Sequence, residues 1–119
     1  MIARTTLATL LVLASSAMAH AHAMLDRANP PVGGTVATPP RTVSLTFTEK
    51  LEPAFSTIRV ENAGGARVDA GKPQLERGNA NTLQVGLKPL VPGTYKVIWK
   101  VLSVDTHKTE GSFIFHVGQ

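Results

Sequence analysis

The sequence contains no cysteine, which excludes disulfide bonds, zinc–thiolate sites, iron–sulfur clusters and thiol catalysis. Charged residues make up only 17% of the chain, and the formal net charge of +4 is not gathered into any lysine- or arginine-rich run. We therefore expect no nucleic-acid partner, because such binding needs a basic stripe. Sustained helical periodicity is also missing after residue 24, which argues against a helical domain.

The first residues have the organisation of an export signal. Arg4 precedes a short apolar core, Leu7 to Ala14, which has fewer residues than a membrane-spanning helix needs. Small residues then allow cleavage before His20 or before His22. The alternative, a membrane anchor, fits poorly with so short a core and with the cleavage pattern. We predict a signal peptide over residues 1–21 (alternatively 1–19) and one small domain over 22–119.

The remainder of the chain consists of short alternating runs separated by turn residues. Five runs place apolar residues at every second position: VSLTFT, STIRVE, TLQVGL, TYKVIWKV and SFIFHV. The predicted inward residues include Val43, Leu45, Phe47, Ile58, Val60, Leu83, Val85, Leu87, Tyr95, Val97, Trp99, Val101, Phe113, Phe115 and Val117. We interpret the polar stretch from Lys72 to Asn81 as a loop. This pattern predicts an all-β fold, a Greek-key β-sandwich or small barrel.

Asp105 and His107 are the first candidates for chemistry, since residues two apart in extended backbone project to the same side. Such a pair is most often a hydrogen-bonded turn, with metal binding as the alternative. Cleavage before either His20 or His22 would create an N-terminal histidine, whose α-amine and imidazole can chelate one ion. Together with His107 and Asp105, such a terminus supplies three nitrogens and one carboxylate oxygen. This set suits Cu(II) better than Zn(II), which prefers tetrahedral sites.

Two further residues bear on this site. His116 alternates with Phe113 and Phe115, so we expect it on the solvated face and outside the metal site. Glu49 ends the VSLTFT strand and is either a surface charge or a group near the metal or the α-amine.

The order of HAML, PPRTVSLTFTEKLEPAFSTIRV and PLVPGTYKVIWKVLSVDTHKTEGSFIFHV resembles the CopC family of periplasmic copper-binding proteins over nearly the whole mature chain. The resemblance implies a Greek-key barrel with immunoglobulin-like or cupredoxin-like topology. It also implies a Cu(II) site formed by the terminal histidine, Asp105 and His107, with Glu49 close by. In the family the terminal histidine lies eight residues before a proline, a spacing that His22 and Pro30 share.

The implied function is a periplasmic Cu(II) carrier or buffer for copper homeostasis or resistance. It is not an enzyme, is expected as a monomer, and hands copper to an inner-membrane permease of the CopD type. Alternatives are a copper oxidoreductase built on the N-terminal histidine and a β-sandwich adaptor without metal. The chain departs from some family members because Met24 is its only methionine after the signal, so we expect no Cu(I) site.

Overall fold

The computed structural model describes residues 23–118, which form two stacked β-sheets. The only helical turn in this range is a 3-10 turn over Pro53–Phe55. The strands are β1 Leu25–Asn29, β2 Thr35–Val36, β3 Thr42–Phe47, β4 Thr57–Glu61, β5 Asp69–Glu76, β6 Asn79–Leu87, β7 Gly93–Leu102 and β8 Lys108–Val117. The predicted all-β fold is confirmed. The predicted signal peptide, with His20 and His22, lies outside the described residues.

The first sheet has the strand order β1-β3-β6-β5, and the second sheet has the order β2-β8-β7-β4. All pairings are antiparallel except the short parallel contact of β2 with β8. Because strands β1 to β5 alternate between the sheets, most strand pairs join strands that are not consecutive in the chain, as in Greek-key sandwiches, while β5–β6 and β7–β8 are hairpins. The longest pairing is the β7–β8 hairpin, in which Leu102 faces Lys108 at its closed end.

The core lies between the sheets and is built from the alternating residues. Every predicted inward residue is buried except Leu87, which is partly buried at the edge of the core. Phe47 of the first sheet meets Trp99 of the second edge-to-face, with ring centroids 5.0 Å apart. The prediction of the inward faces is therefore confirmed, because period-two patterning decides which face of a strand is buried.

The prediction of a loop over residues 72–81 was wrong. Strand β5 runs to Glu76, and β6 begins at Asn79 after a turn in which Gly78 has φ of +78°. The segment lacks a clear alternation because β5 is an edge strand that pairs only with β6, and its register is interrupted between Ala70 and Gln74. An irregular edge strand tolerates polar residues and proline, including Pro73.

No helix in the range 23–118 has both the length and the hydrophobicity required to traverse a lipid bilayer.

Candidate metal centre

The loop that closes the β7–β8 hairpin, residues 103–107, holds the two candidate ligands. The Ser103 N–H donates to the His107 carbonyl at 3.0 Å, and the Thr106 N–H donates to the Ser103 carbonyl at 2.9 Å. Thr106 has φ of +72°, a left-handed conformation that costs a β-branched residue about 1–2 kcal/mol. The loop is therefore tightly closed by its own backbone and contains local strain.

Asp105 and His107 lie side by side as predicted, but through a turn in which Thr106 is left-handed and not through the extended backbone that the i, i+2 argument assumed. The Asp105 Oδ2 atom is 3.2 Å from His107 Nδ1, and each side chain is 38% exposed. The His107 N–H also points to Asp105 Oδ1, at 3.4 Å. A carboxylate oxygen and an imidazole thus reach the surface together at one end of the hairpin.

Asp105 is held as an anion by a buried hydroxyl. Ser103 is fully buried, and its Oγ donates to Asp105 Oδ1 and lies 3.2 Å from the His107 carbonyl. The hydrogen bond from Ser103 lowers the pKa of Asp105 below its ordinary value, with smaller help from His107. At neutral pH the loop consequently presents a charged oxygen donor, which is the form that binds a metal ion.

The described chain begins beside the first residues of β8, which follow this loop. Ala23 is completely buried, and its carbonyl accepts a hydrogen bond from the Thr109 hydroxyl at 2.9 Å. The Met24 N–H donates to Thr48 Oγ1 at 3.0 Å, and the Thr48 N–H returns a bond to the Met24 carbonyl at 2.9 Å. Residues 23 and 24 therefore lie between the end of β3 and the start of β8. Their partner in β8, Thr109, is two positions after His107 in the chain.

Glu49 lies on the segment that joins these two regions. Thr48, just before it, bonds to Met24, and the carbonyl of Lys50, just after it, accepts the Val104 N–H at 2.9 Å. Glu49 itself is half-buried. Its location is compatible with a supporting carboxylate, and its role stays a prediction.

His116 occupies the opposite end of the same hairpin. It pairs with Thr94 in the β-ladder, and its Nδ1 atom is 2.9 Å from the Thr94 hydroxyl. Phe113 and Phe115 are buried on the other face of β8, so the predicted outward orientation of His116 is confirmed.

Across residues 23–118, no three histidine, aspartate or glutamate side chains are grouped so that they could hold a metal ion. Asp105 and His107 supply two donors of suitable chemistry, an anionic oxygen and an imidazole nitrogen. The part of the chain that precedes Ala23 lies outside the described residues. His22 and His20 lie in that part, so their predicted roles stay predictions.

Sequence reasoning did not identify three hydroxyl residues around this loop, namely Ser103, Thr48 and Thr109. Ser103 has a weak signal, because serine hydroxyls often form hydrogen bonds with nearby backbone in turns. Thr48 and Thr109 have no signal in the local sequence, since they contact residues that are distant from them along the chain.

Comparison with known proteins gives a consistent result. A profile described as the CopC domain matches residues 25–118. Copper resistance protein C of Xanthomonas campestris pv. juglandis is 34% identical over 119 residues, covering 95% of this chain and 93% of the relative. The crystal structure of CopC from Methylosinus trichosporium OB3b superposes with a TM-score of 0.76 at 32% identity, covering 82% of this chain and 94% of that one.

A third relative is much longer than this chain. The copper transport protein CutJ of Bacillus subtilis is 31% identical over 100 residues, which is 83% of this chain and only 18% of CutJ. The chain thus corresponds to less than a fifth of that protein.

Proposed function

Because this chain belongs to the CopC family, we propose that it is a copper carrier that holds Cu(II) and passes it to another protein. The names of its relatives, a copper resistance protein and a copper transport protein, support copper as the cargo. The observation that carries the proposal is the Asp105–His107 pair, together with the bond that ties Ala23 to Thr109, two positions along the chain from His107.

The remaining donors come from His22 in this proposal. One peptide unit, about 3.8 Å between Cα atoms, separates it from Ala23, whose carbonyl is bonded to Thr109. If the signal is removed before His22, this residue offers both an α-amine and an imidazole. With Asp105 and His107 the set becomes three nitrogens and one oxygen, which suits tetragonal Cu(II).

Several features support Cu(II) rather than Cu(I), and a carrier rather than an enzyme. Met24 is the only thioether in residues 22–119, and Cu(I) favours clusters of such soft donors. Asp105 would take the fourth position around the ion, which an oxidase leaves open for its oxidant. Glu49 would act from outside the ligand set, by hydrogen bonding to the ligands or balancing charge.

The location and partner are also part of this proposal. The predicted signal peptide supports export, and we propose a periplasmic carrier that acts as a monomer. In CutJ a region similar to this chain is part of a far longer copper transport protein. That arrangement supports transfer to a membrane transporter, and we propose an inner-membrane permease of the CopD type as the recipient.

The direct test compares two forms of the protein, one starting at His22 and one starting at Ala21. The extra residue separates the α-amine from the imidazole and abolishes the chelate ring. We expect one Cu(II) per molecule in the first form and about a hundredfold weaker binding in the second, since linked donors gain affinity from their proximity. Chelator competition followed by the fluorescence of Trp99, the single tryptophan, measures both affinities.

Equal affinity of the two forms would overturn the proposed site. A third form starting at His20 tests the other cleavage position. A histidine in third place can wrap Cu(II) with the α-amine and backbone amides alone, so its binding should not depend on His107. If only that form binds copper tightly, the choice of His22 is wrong.

A further inference from the structure

Residues 23 and 24 are held by contacts from both sheets. The Thr109 hydroxyl, at the start of β8 in the second sheet, donates to the Ala23 carbonyl at 2.9 Å. On the other side, Thr48 follows β3 of the first sheet and exchanges two hydrogen bonds with Met24, one through its hydroxyl and one through its N–H. Two threonine hydroxyls therefore hold two consecutive residues from opposite layers of the sandwich.

The side chain between these contacts prevents the segment from sliding. Ala23 has no exposed surface and belongs to the hydrophobic core, although it precedes the first strand. A one-residue shift would exchange it with the exposed Met24 and bury a much longer side chain in a space filled by a methyl group. The burial of Ala23 decides which residue occupies this position, and the hydroxyls of Thr109 and Thr48 hold the backbone of residues 23 and 24 in place.

We propose that Thr109 and Thr48 are positioning residues, which hold the start of the mature chain against the Asp105–His107 loop before copper binds. This inference rests on the proposed function, because it assigns the residues a role at that site. Thr109 is only two positions from His107, so one short stretch, from the end of the loop into β8, carries a proposed ligand and also fixes the segment next to the proposed terminal donors. A terminus ordered beforehand loses less conformational entropy when the ion arrives.

We assign Thr109 and Thr48 a role in positioning and not in folding, since other contacts already close this end of the sandwich. Strand β1 is already paired with β3 from Leu25 onwards, and the hairpin loop is closed by its own backbone hydrogen bonds. Removing the Thr109 hydroxyl should therefore loosen residues 23 and 24 while leaving both sheets intact.

The test uses Thr109→Val in the protein that starts at His22. Thr94→Val is the matched control, because Thr94 also bonds through its hydroxyl but lies at the opposite end of the same hairpin, beside His116. We expect Thr109→Val to weaken Cu(II) binding about three- to tenfold in chelator competition, because one hydrogen bond that orders the terminus is lost. Thr109→Ser should restore binding, and Thr94→Val should bind like the wild type.

A second readout needs no copper. In the copper-free protein the Met24 amide should exchange with deuterium faster in Thr109→Val and in Thr48→Val, while the amides of β7 keep their protection. Wild-type affinity together with unchanged Met24 exchange in Thr109→Val would overturn the inference, as would an equal loss in Thr94→Val. If the wild type itself binds no copper, the proposed function fails, and the exchange measurement still decides whether the two threonines order the segment.

Discussion

Asp69 and Asp105 are two ionised carboxylates in very different surroundings. The pKa of each lies below its ordinary value. For Asp69, burial alone would raise the pKa, and hydrogen bonds from Arg67 and the Val60 N–H more than offset that effect. For Asp105, the largest effect is the hydrogen bond from Ser103, which lowers the pKa. The Asp69 side chain is 5% exposed and that of Asp105 38%.

The difference lies in how much binding capacity each carboxylate retains. Both oxygens of Asp69 are used, one by the Val60 N–H at 2.8 Å and the other by the Arg67 guanidinium at 2.8 Å. The bond to Val60 also connects β5 of the first sheet to β4 of the second. Asp105 has a hydroxyl on one oxygen and an imidazole next to the other, and no ion pair with lysine or arginine is found for it within residues 23–118. Asp69 therefore stabilises the fold, while Asp105 can still accept a metal ion.

The turns near the two carboxylates differ in which residue takes the left-handed conformation. In the turn between β4 and β5, the left-handed position is taken by Gly65, which has φ of +83°. In the hairpin loop it is taken by Thr106 at a cost in free energy. Strain that a glycine would remove is retained beside the candidate ligands, as is common at functional sites.

The largest expected effect is on copper affinity at the loop. His107→Ala should weaken Cu(II) binding by about a hundredfold or more, since it removes one of a linked set of donors. The fold should remain intact because this side chain lies in a surface loop and is 38% exposed. Chelator competition measures the affinity, and His116→Ala is the control with an expected change below about twofold. A loss in His116→Ala that equals the loss in His107→Ala would show that the loop is not the copper site.

The second largest expected effect is on the stability of the fold, through Asp69. Asp69→Ala should lower the free energy of unfolding by about 2 kcal/mol, because it leaves the Val60 N–H without its acceptor in a partly buried position. Urea denaturation measures this value, and the copper affinity of the folded variant should stay within about twofold of the wild type.

Asp105→Ala is the matched control for stability. It should lower the free energy of unfolding much less than Asp69→Ala does, since the buried Ser103 hydroxyl retains the His107 carbonyl as an acceptor. The same variant should clearly weaken copper binding, though less than His107→Ala. If Asp69→Ala weakens copper binding and Asp105→Ala unfolds the protein, the two assignments must be exchanged.

A smaller effect appears on acidification. Because the folded-state pKa of Asp69 is depressed, its stabilisation is fully present above the unfolded value near 4 and is lost as pH falls through the lower folded value. Asp69→Asn, which does not titrate, should therefore lose less stability than the wild type between pH 5 and pH 2. Denaturation midpoints measured across that range test this, and parallel curves for the two proteins would contradict it.

The smallest effect concerns the strained loop residue. Thr106→Gly should raise the free energy of unfolding by no more than about 1 kcal/mol, since relief of the left-handed conformation is partly offset by the greater freedom of glycine when unfolded. Thermal denaturation checks the direction. A clear loss of stability would mean that the bond from the Thr106 hydroxyl to the Asp105 carbonyl, at 2.6 Å, outweighs the strain.

Much of the fold was predictable because its core strands alternate strictly. In β7, Tyr95, Val97, Trp99 and Val101 could only be buried together on one face. Strand β5 was missed because an edge strand needs no such alternation. The two-residue β2 was also missed, since its pairing with β8 depends on the packing of the remainder of the chain.

The candidate site was predictable only where its residues are close in sequence. The proximity of Asp105 and His107 was expected from their spacing and is seen, although it arises from a hairpin turn and not from extended backbone. The contacts of Thr109 with Ala23 and of Thr48 with Met24 were not predictable, because they join residues that are 86 and 24 positions apart. Such contacts depend on how the two sheets pack, which local pattern does not encode.

In the proposed function, copper joins the start of the mature chain to the hairpin loop. The most direct test is the rise in melting temperature that Cu(II) causes in the protein starting at His22, because an ion that binds only the folded chain stabilises it. At free copper about 100 times the wild-type Kd, the account predicts a rise of about 10 °C or more in the wild type and in Asp69→Asn, and at most about 3 °C in His107→Ala. Equal shifts in the wild type and His107→Ala, or none in the wild type, would contradict it.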